Sequence, residues 1–132
     1  MSDLSQLFDR IAADLENCGW SENTLIEFGN TLINMSLSVD DTAVLESMLN
    51  ALYTIADDKR PIARKLDIKA LTEDMQRFDL QCTDHILSIL SFTGDKKYCG
   101  LIRDICNRHS SLSAEGYLAE LAKRSELFSI GK

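Results

Sequence analysis

The sequence predicts a single all-α domain, and three observations carry that prediction. Leucine and isoleucine are abundant, whereas valine occurs only at Val39 and Val44 and proline only at Pro61. Such a composition favours helix over strand. Apolar residues recur at intervals of three and four, which gathers them on one side of a helix. Finally, 132 residues at 45% apolar and 27% charged suffice to bury a core without disulfides or metal.

The first helix is expected over residues 3–18, with Leu4, Leu7, Phe8, Ile11 and Leu15 as its apolar stripe and Asp9 and Glu16 opposite. Gly19 supplies the stop. Ser21 has the chemistry of an N-cap, with Trp20 before it placed to staple onto Leu25. The second helix then runs to about Met35, burying Leu25, Phe28, Leu32 and Ile33 and leaving Glu22, Glu27, Asn30 and Asn34 outside. A third helix begins near the caps Ser38 and Asp40 and continues to about Ala56. Its stripe is Leu45, Met48, Leu49, Leu52 and Ile55, with Asp41, Glu46 and Asn50 turned away.

The turn from Asp57 to Arg60 precedes Pro61, a residue suited to the first helical position. A helical stretch over 61–77, restarting at Asp67, would bury Ile68, Leu71 and Met75, with Phe78 just beyond. Thr83 is the expected cap of a short apolar helix, His85 to Leu90, ending at Gly94. Asp95 caps the next helix, with Tyr98, Leu101, Ile102 and Ile105 inward, and a serine-rich turn to Ser113 leads into a last helix that buries Tyr117, Leu118 and Leu121. The final residues should fray.

The result is about seven short helices, either as stacked helical hairpins of the HEAT or armadillo kind or as an irregular bundle. One internal echo bears on the choice. The runs LYTIADDKR ending at Arg60 and LSFTGDKK ending at Lys97 each join an apolar helix end to an acidic turn and two basic residues. Their turn aspartates, Asp58 and Asp95, are 37 residues apart, within the roughly 20–50 residue period of helical repeats.

Templates for catalysis and metal binding fail. There is no Gly-x-Gly, phosphate loop or His-Glu-x-x-His, and Asp84 and His85 are adjacent, about 100° apart around a helix. The aspartate pairs at 40–41 and 57–58 fit capping and turns better than a calcium loop. Cys18, Cys82, Cys99 and Cys106 form no Cys-x-x-Cys pair, so free thiols are expected and neither cofactor nor metal is. The opening Met1-Ser2-Asp3-Leu4 lacks the basic and apolar regions of a secretory signal, and a cytoplasmic protein is expected.

Charge is divided unevenly. Through Asp58 there are eleven acidic residues and one basic residue, a formal −10, and from Lys59 onward ten acidic and thirteen basic, +3. Arg10 with Asp14 is the only i, i+4 acid–base pair in the first three helices. Carboxylates crowded without counterions repel one another unless solvent or a cationic partner relieves them. The same field repels nucleic acid and anionic membrane. The basic cluster Lys59, Arg60, Arg64, Lys65 and Lys69 has no interleaved aromatics and is expected to be a solvated face.

From His85 to Tyr98 (HILSILSFTGDKKY) the chain resembles small all-helical immunity proteins of bacterial polymorphic toxins, including those of contact-dependent growth inhibition systems. That resemblance implies a non-enzymatic protein that binds a cognate toxin domain, often a basic nuclease, and occludes it. Charge places the expected partner surface at Asp9, Glu16, Glu22, Glu27, Asp41, Glu46, Asp57 and Asp58, with Trp20 as the aromatic anchor. The alternative is a helical-repeat scaffold that holds a peptide or partner subunit.

Overall fold

Helices form where the apolar stripes require them, and aspartate side chains start two of the later α-helices and the 3₁₀ turn Lys96–Tyr98. A computed structural model describes residues 3–15 and 19–130. Among these are seven α-helices and no strand: α1 (Asp3–Leu15), α2 (Glu22–Ser36), α3 (Thr42–Ala56), α4 (Lys69–Thr72), α5 (Leu80–Phe92), α6 (Cys99–Asn107) and α7 (Ala114–Ile130). Single 3₁₀ turns cover Ala63–Lys65, Met75–Arg77 and Lys96–Tyr98.

Ser21 caps α2 as expected, its hydroxyl accepting from the Thr24 amide at 3.2 Å. Two other caps differ from expectation. Asp41, not Ser38 or Asp40, caps α3, accepting from the amides of Ala43 and Val44. Ser38 instead donates to the Met35 carbonyl at the end of α2. Asp79, not Thr83, caps α5 by accepting from the Cys82 amide at 2.8 Å. The Thr83 hydroxyl donates back to the Asp79 carbonyl, so α5 starts nearly one turn earlier.

The helix expected over 61–77 breaks into two 3₁₀ turns and the single turn of α4. Burial explains why. Ile62, Leu66, Ile68, Leu71, Met75 and Phe78 are all in the core, but the two-residue step from Leu66 to Ile68 leaves helical phase. Leu66 is extended (φ −83°, ψ 148°), and the Asp67 amide donates to Asn30 Oδ1 of α2 at 2.8 Å. A tertiary acceptor replaces the helical one.

The packing order is that of stacked helical pairs. α1 packs on α3, α3 on α5 and α5 on α7, while α2 flanks α3 and α6 flanks α7. A second row runs alongside. Gly29 of α2 leaves room for Leu66, whose Cδ2 would lie 2.6 Å from a Cβ at that glycine, and Met75 and Phe78 share a surface pocket with Ile105 of α6. The irregular 62–78 segment therefore stands where a regular solenoid would have its middle outer helix. The echo survives at its turns: Asp58 accepts from the Arg60 amide at 2.9 Å and Asp95 from the Lys97 amide at 3.1 Å.

One core runs through the rows, with Leu49, Leu52, Ile86 and Leu90 at most 1% exposed. The stripe of α1 is rotated from expectation. Phe8 and Ala12 are buried, whereas Leu7 is 48% exposed. Cys82, Cys99 and Cys106 are free thiols; Leu4 and Cys18 lie outside the described side chains.

α5 ends at a turn where Gly94 takes φ +59°, a left-handed conformation that costs other residues ~1–2 kcal/mol. A Cβ there would also meet the Ser125 amide nitrogen of α7 at 2.6 Å. Gly19 has φ +64° and open space. Gly94→Ala should therefore destabilise the fold more than Gly19→Ala, which incurs the backbone cost alone. Leu52→Ala or Leu90→Ala should cost ~2–5 kcal/mol. Chemical denaturation of the four variants measures both expectations.

Candidate functional site

Three polar stripes at helical spacing face outward from the row of α1, α3, α5 and α7. They are Glu46, Asn50, Tyr53 and Asp57 around α3, Gln81, His85 and Ser88 on α5, and Tyr117, Glu120 and Arg124 on α7. Steps of three and four align each set. Side by side they enclose two grooves.

The first groove, about 330 Å³, lies between α1, α3 and α5, with Asp9, Glu46, Asn50, Gln81 and His85 in its lining. Asp9 and Glu46, 37 positions apart, share it with no Lys or Arg in the lining. His85 is half-buried, and burial pulls its pKa below the ordinary 6.5 against the opposing pull of Asp84, Glu46 and Asp79. The second groove, about 380 Å³, lies between α3, α5 and α7 and is lined by Tyr53, Ser88, Phe92, Tyr117 and Glu120 among others. Tyr53 joins the two, its ring edge-on to His85 at 5.8 Å and tilted against Phe92 at 5.3 Å. The Tyr117 hydroxyl donates to Asp84 Oδ1.

Ionisation in this region runs opposite to nucleophile activation. Burial raises the pKa of Tyr53, with Asp57, Asp84 and Glu120 adding to it. Burial and the Asp84 hydrogen bond raise that of Tyr117. The Cys82 thiol is pushed up to about 12 by burial and by Asp79. At neutral pH these groups stay protonated, as donors and apolar surface. Among the described residues no group of three or more His, Cys, Asp or Glu is placed to hold a metal, and no helix is long and apolar enough to cross a membrane.

Of the residues expected at a partner surface, the fold brings together Asp9 and Glu46. Glu27 is exposed on α2, outside this groove. Asp41 is committed to its cap, and three others pair with cations that follow Asp58 in the chain. Glu22 Oε1 accepts from Lys65 Nζ at 2.8 Å, Asp57 Oδ1 from Arg124 Nη2 at 2.6 Å, and Asp58 Oδ1 from Arg60 Nε at 2.9 Å. The hydrogen bonds from Arg60 hold the Asp58 carboxyl below its usual range. Lys65 and Arg124 come from more than forty positions away, whereas Arg60 is a local partner within its own turn. Glu16 lies outside the described residues.

Trp20 packs edge-on against Phe28 at 5.6 Å and is 37% exposed. With Ile11, Asp14, Leu15 and Phe28 it lines a mostly apolar pocket of about 230 Å³, apart from the polar grooves. The basic cluster is not simply a solvated face. Arg60 reaches the Trp20 carbonyl, and Arg64 donates to the carbonyls of Thr93 and Gly94.

Sequence reasoning did not place Tyr53, His85, Tyr117 and Glu120 in the walls of these grooves, nor Asp84 beside them. The 81–85–88 and 117–120–124 periodicities would have found most of them.

No protein-family model, curated protein or solved structure matches the chain.

The His85 shift fixes a pH dependence. Because the folded pKa lies below 6.5, the unfolded chain takes up the proton first as pH falls. The stability carried by neutral His85 is complete above about 6.5, is lost as pH falls through the folded pKa, and then levels off. His85→Gln should flatten that loss. Denaturation midpoints from pH 8 to pH 5 for both proteins measure it.

Proposed function

We propose that the chain is a non-enzymatic binding protein that acts in the cytoplasm as the immunity partner of a basic toxin domain. It would neutralise that domain by stoichiometric occlusion, as the resemblance at His85–Tyr98 implies. One observation carries the reading: Asp9 and Glu46 converge from α1 and α3 on a groove that also holds Asn50, Gln81 and His85 and has no cation in its lining. Neutral His85 and the two amides offer hydrogen bonds without opposing the carboxylate field.

Such a field steers a cationic surface toward ~10⁸ M⁻¹s⁻¹ association and holds it in register. In this reading the carboxylates mimic the phosphates that a basic nuclease would bind. Trp20 and its apolar pocket supply an anchor of the kind that dominates interfaces once charges have aligned them. Glu22, Asp57 and Asp58 are already paired within the chain and contribute less.

A second reading, a helical scaffold for a peptide or subunit, draws on the two-row packing and its extended surface. Charge dependence separates the two, since a scaffold that grips through shape and apolar contact is insensitive to salt.

The test begins by asking whether the open reading frame adjacent to this gene encodes a toxin-like domain, and measures stopped-flow association with that product over a salt series. Asp9→Lys with Glu46→Lys should slow association about tenfold or more while leaving the melting curve unchanged, and Lys96→Glu should change it little. Rising ionic strength should also slow the wild type, as the Debye length contracts from ~10 Å at 0.1 M to ~3 Å at 1 M. Absence of a complex on size-exclusion chromatography would sink the immunity reading. An on-rate indifferent to both acid reversals and salt would favour the scaffold.

A further inference from the structure

The groove between α3, α5 and α7 has a different chemistry from the Asp9–Glu46 groove. Its walls are aromatic: Tyr53 and Phe92 tilt against each other on one side, and Tyr117 rises from α7. Glu120 completes the lining from the turn of α7 after Tyr117. At Gly116 the same helix carries no side chain, and a Cβ built there would meet nothing within 4 Å.

Three carboxylates, those of Asp57, Asp84 and Glu120, act on the Tyr53 hydroxyl against one guanidinium, that of Arg124. Negative charge is therefore in excess around the groove. Arg124 also shows how this surface holds a guanidinium. It lies over the Phe92 ring, 4.5 Å from the centroid, and forks between Glu120 Oε2 at 2.8 Å and Asp57 Oδ1 at 2.6 Å. Stacking on an aromatic face combined with in-plane donation to carboxylates suits arginine and not lysine.

We infer that this groove receives an arginine side chain projecting from the basic partner, held between the Tyr53 and Tyr117 rings and the Glu120 carboxylate. The assignment rests on the partner-binding reading above and names its second contact. Because Arg124 bonds to Oε2 of Glu120, Oε1 is the oxygen left to accept from the incoming guanidinium. Of the groove hydroxyls, those of Ser91 and Tyr117 are committed to the Leu87 carbonyl and to Asp84 Oδ1, so Tyr117 offers its ring and Ser88 adds polar lining.

Two glycines make the test clean. Gly116 and Gly100 are both helical and both open at the Cβ position, but only Gly116 lines the groove. The full-length protein is titrated with acetyl-Gly-Arg-Gly-amide, and with its Lys and Glu counterparts, while backbone amide NMR shifts are followed. The arginine peptide should give saturable shifts centred on Ser91, Tyr117 and Glu120, about threefold or more tighter than the lysine peptide, the scale of one exposed cation–π contact. The glutamate peptide should give none. Gly116→Trp should abolish the shifts and Gly100→Trp should preserve them, with both variants melting as wild type does.

Arginine and lysine peptides binding equally, shifts scattered over every acidic residue, or binding unaffected by Gly116→Trp would each overturn the assignment. The two proposals fail separately. If the basic partner binds in a manner sensitive to Asp9 and Glu46 while the arginine peptide shifts nothing near Tyr117, the arginine site is wrong and the partner reading stands. If the arginine peptide binds the groove but no complex with the basic domain forms, the groove is real and the partner reading is wrong.

Discussion

The arrangement of the last third of the chain depends on one half-buried guanidinium. Arg124 reaches from α7 to Asp57 and to the Asp58 carbonyl at the end of α3, and covers the Phe92 ring of α5. One side chain thus fixes three helices at their common end. Burial alone would lower its pKa, but the hydrogen bonds with Asp57 and Glu120 more than reverse that, so the charge is retained where it is needed. The close approach of α7 to Gly94 depends on the same registry, because the turn is braced from the other side by Arg64. Arg64 also stacks over Phe128 of α7, so it ties the glycine turn to the same helix that carries Arg124.

That use of arginine changes what the charge asymmetry means. Along the sequence the first half is almost pure acid. In space, Lys65 and Arg124 return to it and neutralise Glu22 and Asp57, while Arg60 pairs with Asp58 within their shared turn. The Lys65–Glu22 and Arg60–Asp58 pairs are more exposed than that of Arg124 and individually worth little, but all three sort the carboxylates into two populations. One population is structural and compensated. The other, represented by Asp9 and Glu46, faces a groove lined without cations, and this remainder is the part of the asymmetry on which the proposed function rests.

The fold class and the core were legible because both follow from spacing. Leu49, Leu52, Ile86 and Leu90 lie on stripes that no alternative register could expose. What could not be read locally was where the backbone finds its partners. The 61–77 segment has helical composition, yet Asn30 takes its Asp67 amide and Gly29 gives Leu66 a socket. Both acting residues lie more than thirty positions away. Cap placement failed for a related reason: a carboxylate at Asp79 outcompetes the Thr83 hydroxyl, which finds a carbonyl instead. The site was half legible. Asp9 and Glu46 stood out by charge, whereas Tyr53, His85 and Tyr117 are unremarkable until three helices stand side by side.

The stacked order of the helices has a kinetic meaning. Each helix of the main row meets the next after one short stretch of chain, namely α2, the 62–78 segment, or α6 with the 3₁₀ turn before it, so little loop entropy must be overcome at any one closure. Assembly can then proceed from the N-terminus as synthesis proceeds, each new helix docking on the exposed flank of the last, as in other quasi-one-dimensional proteins. α7 closes that sequence. Until its arginine emerges and finds Asp57, the flank of α5 that carries Phe92 is bare, and a nascent chain halted before residue 124 would present that aromatic surface to chaperones rather than to a partner.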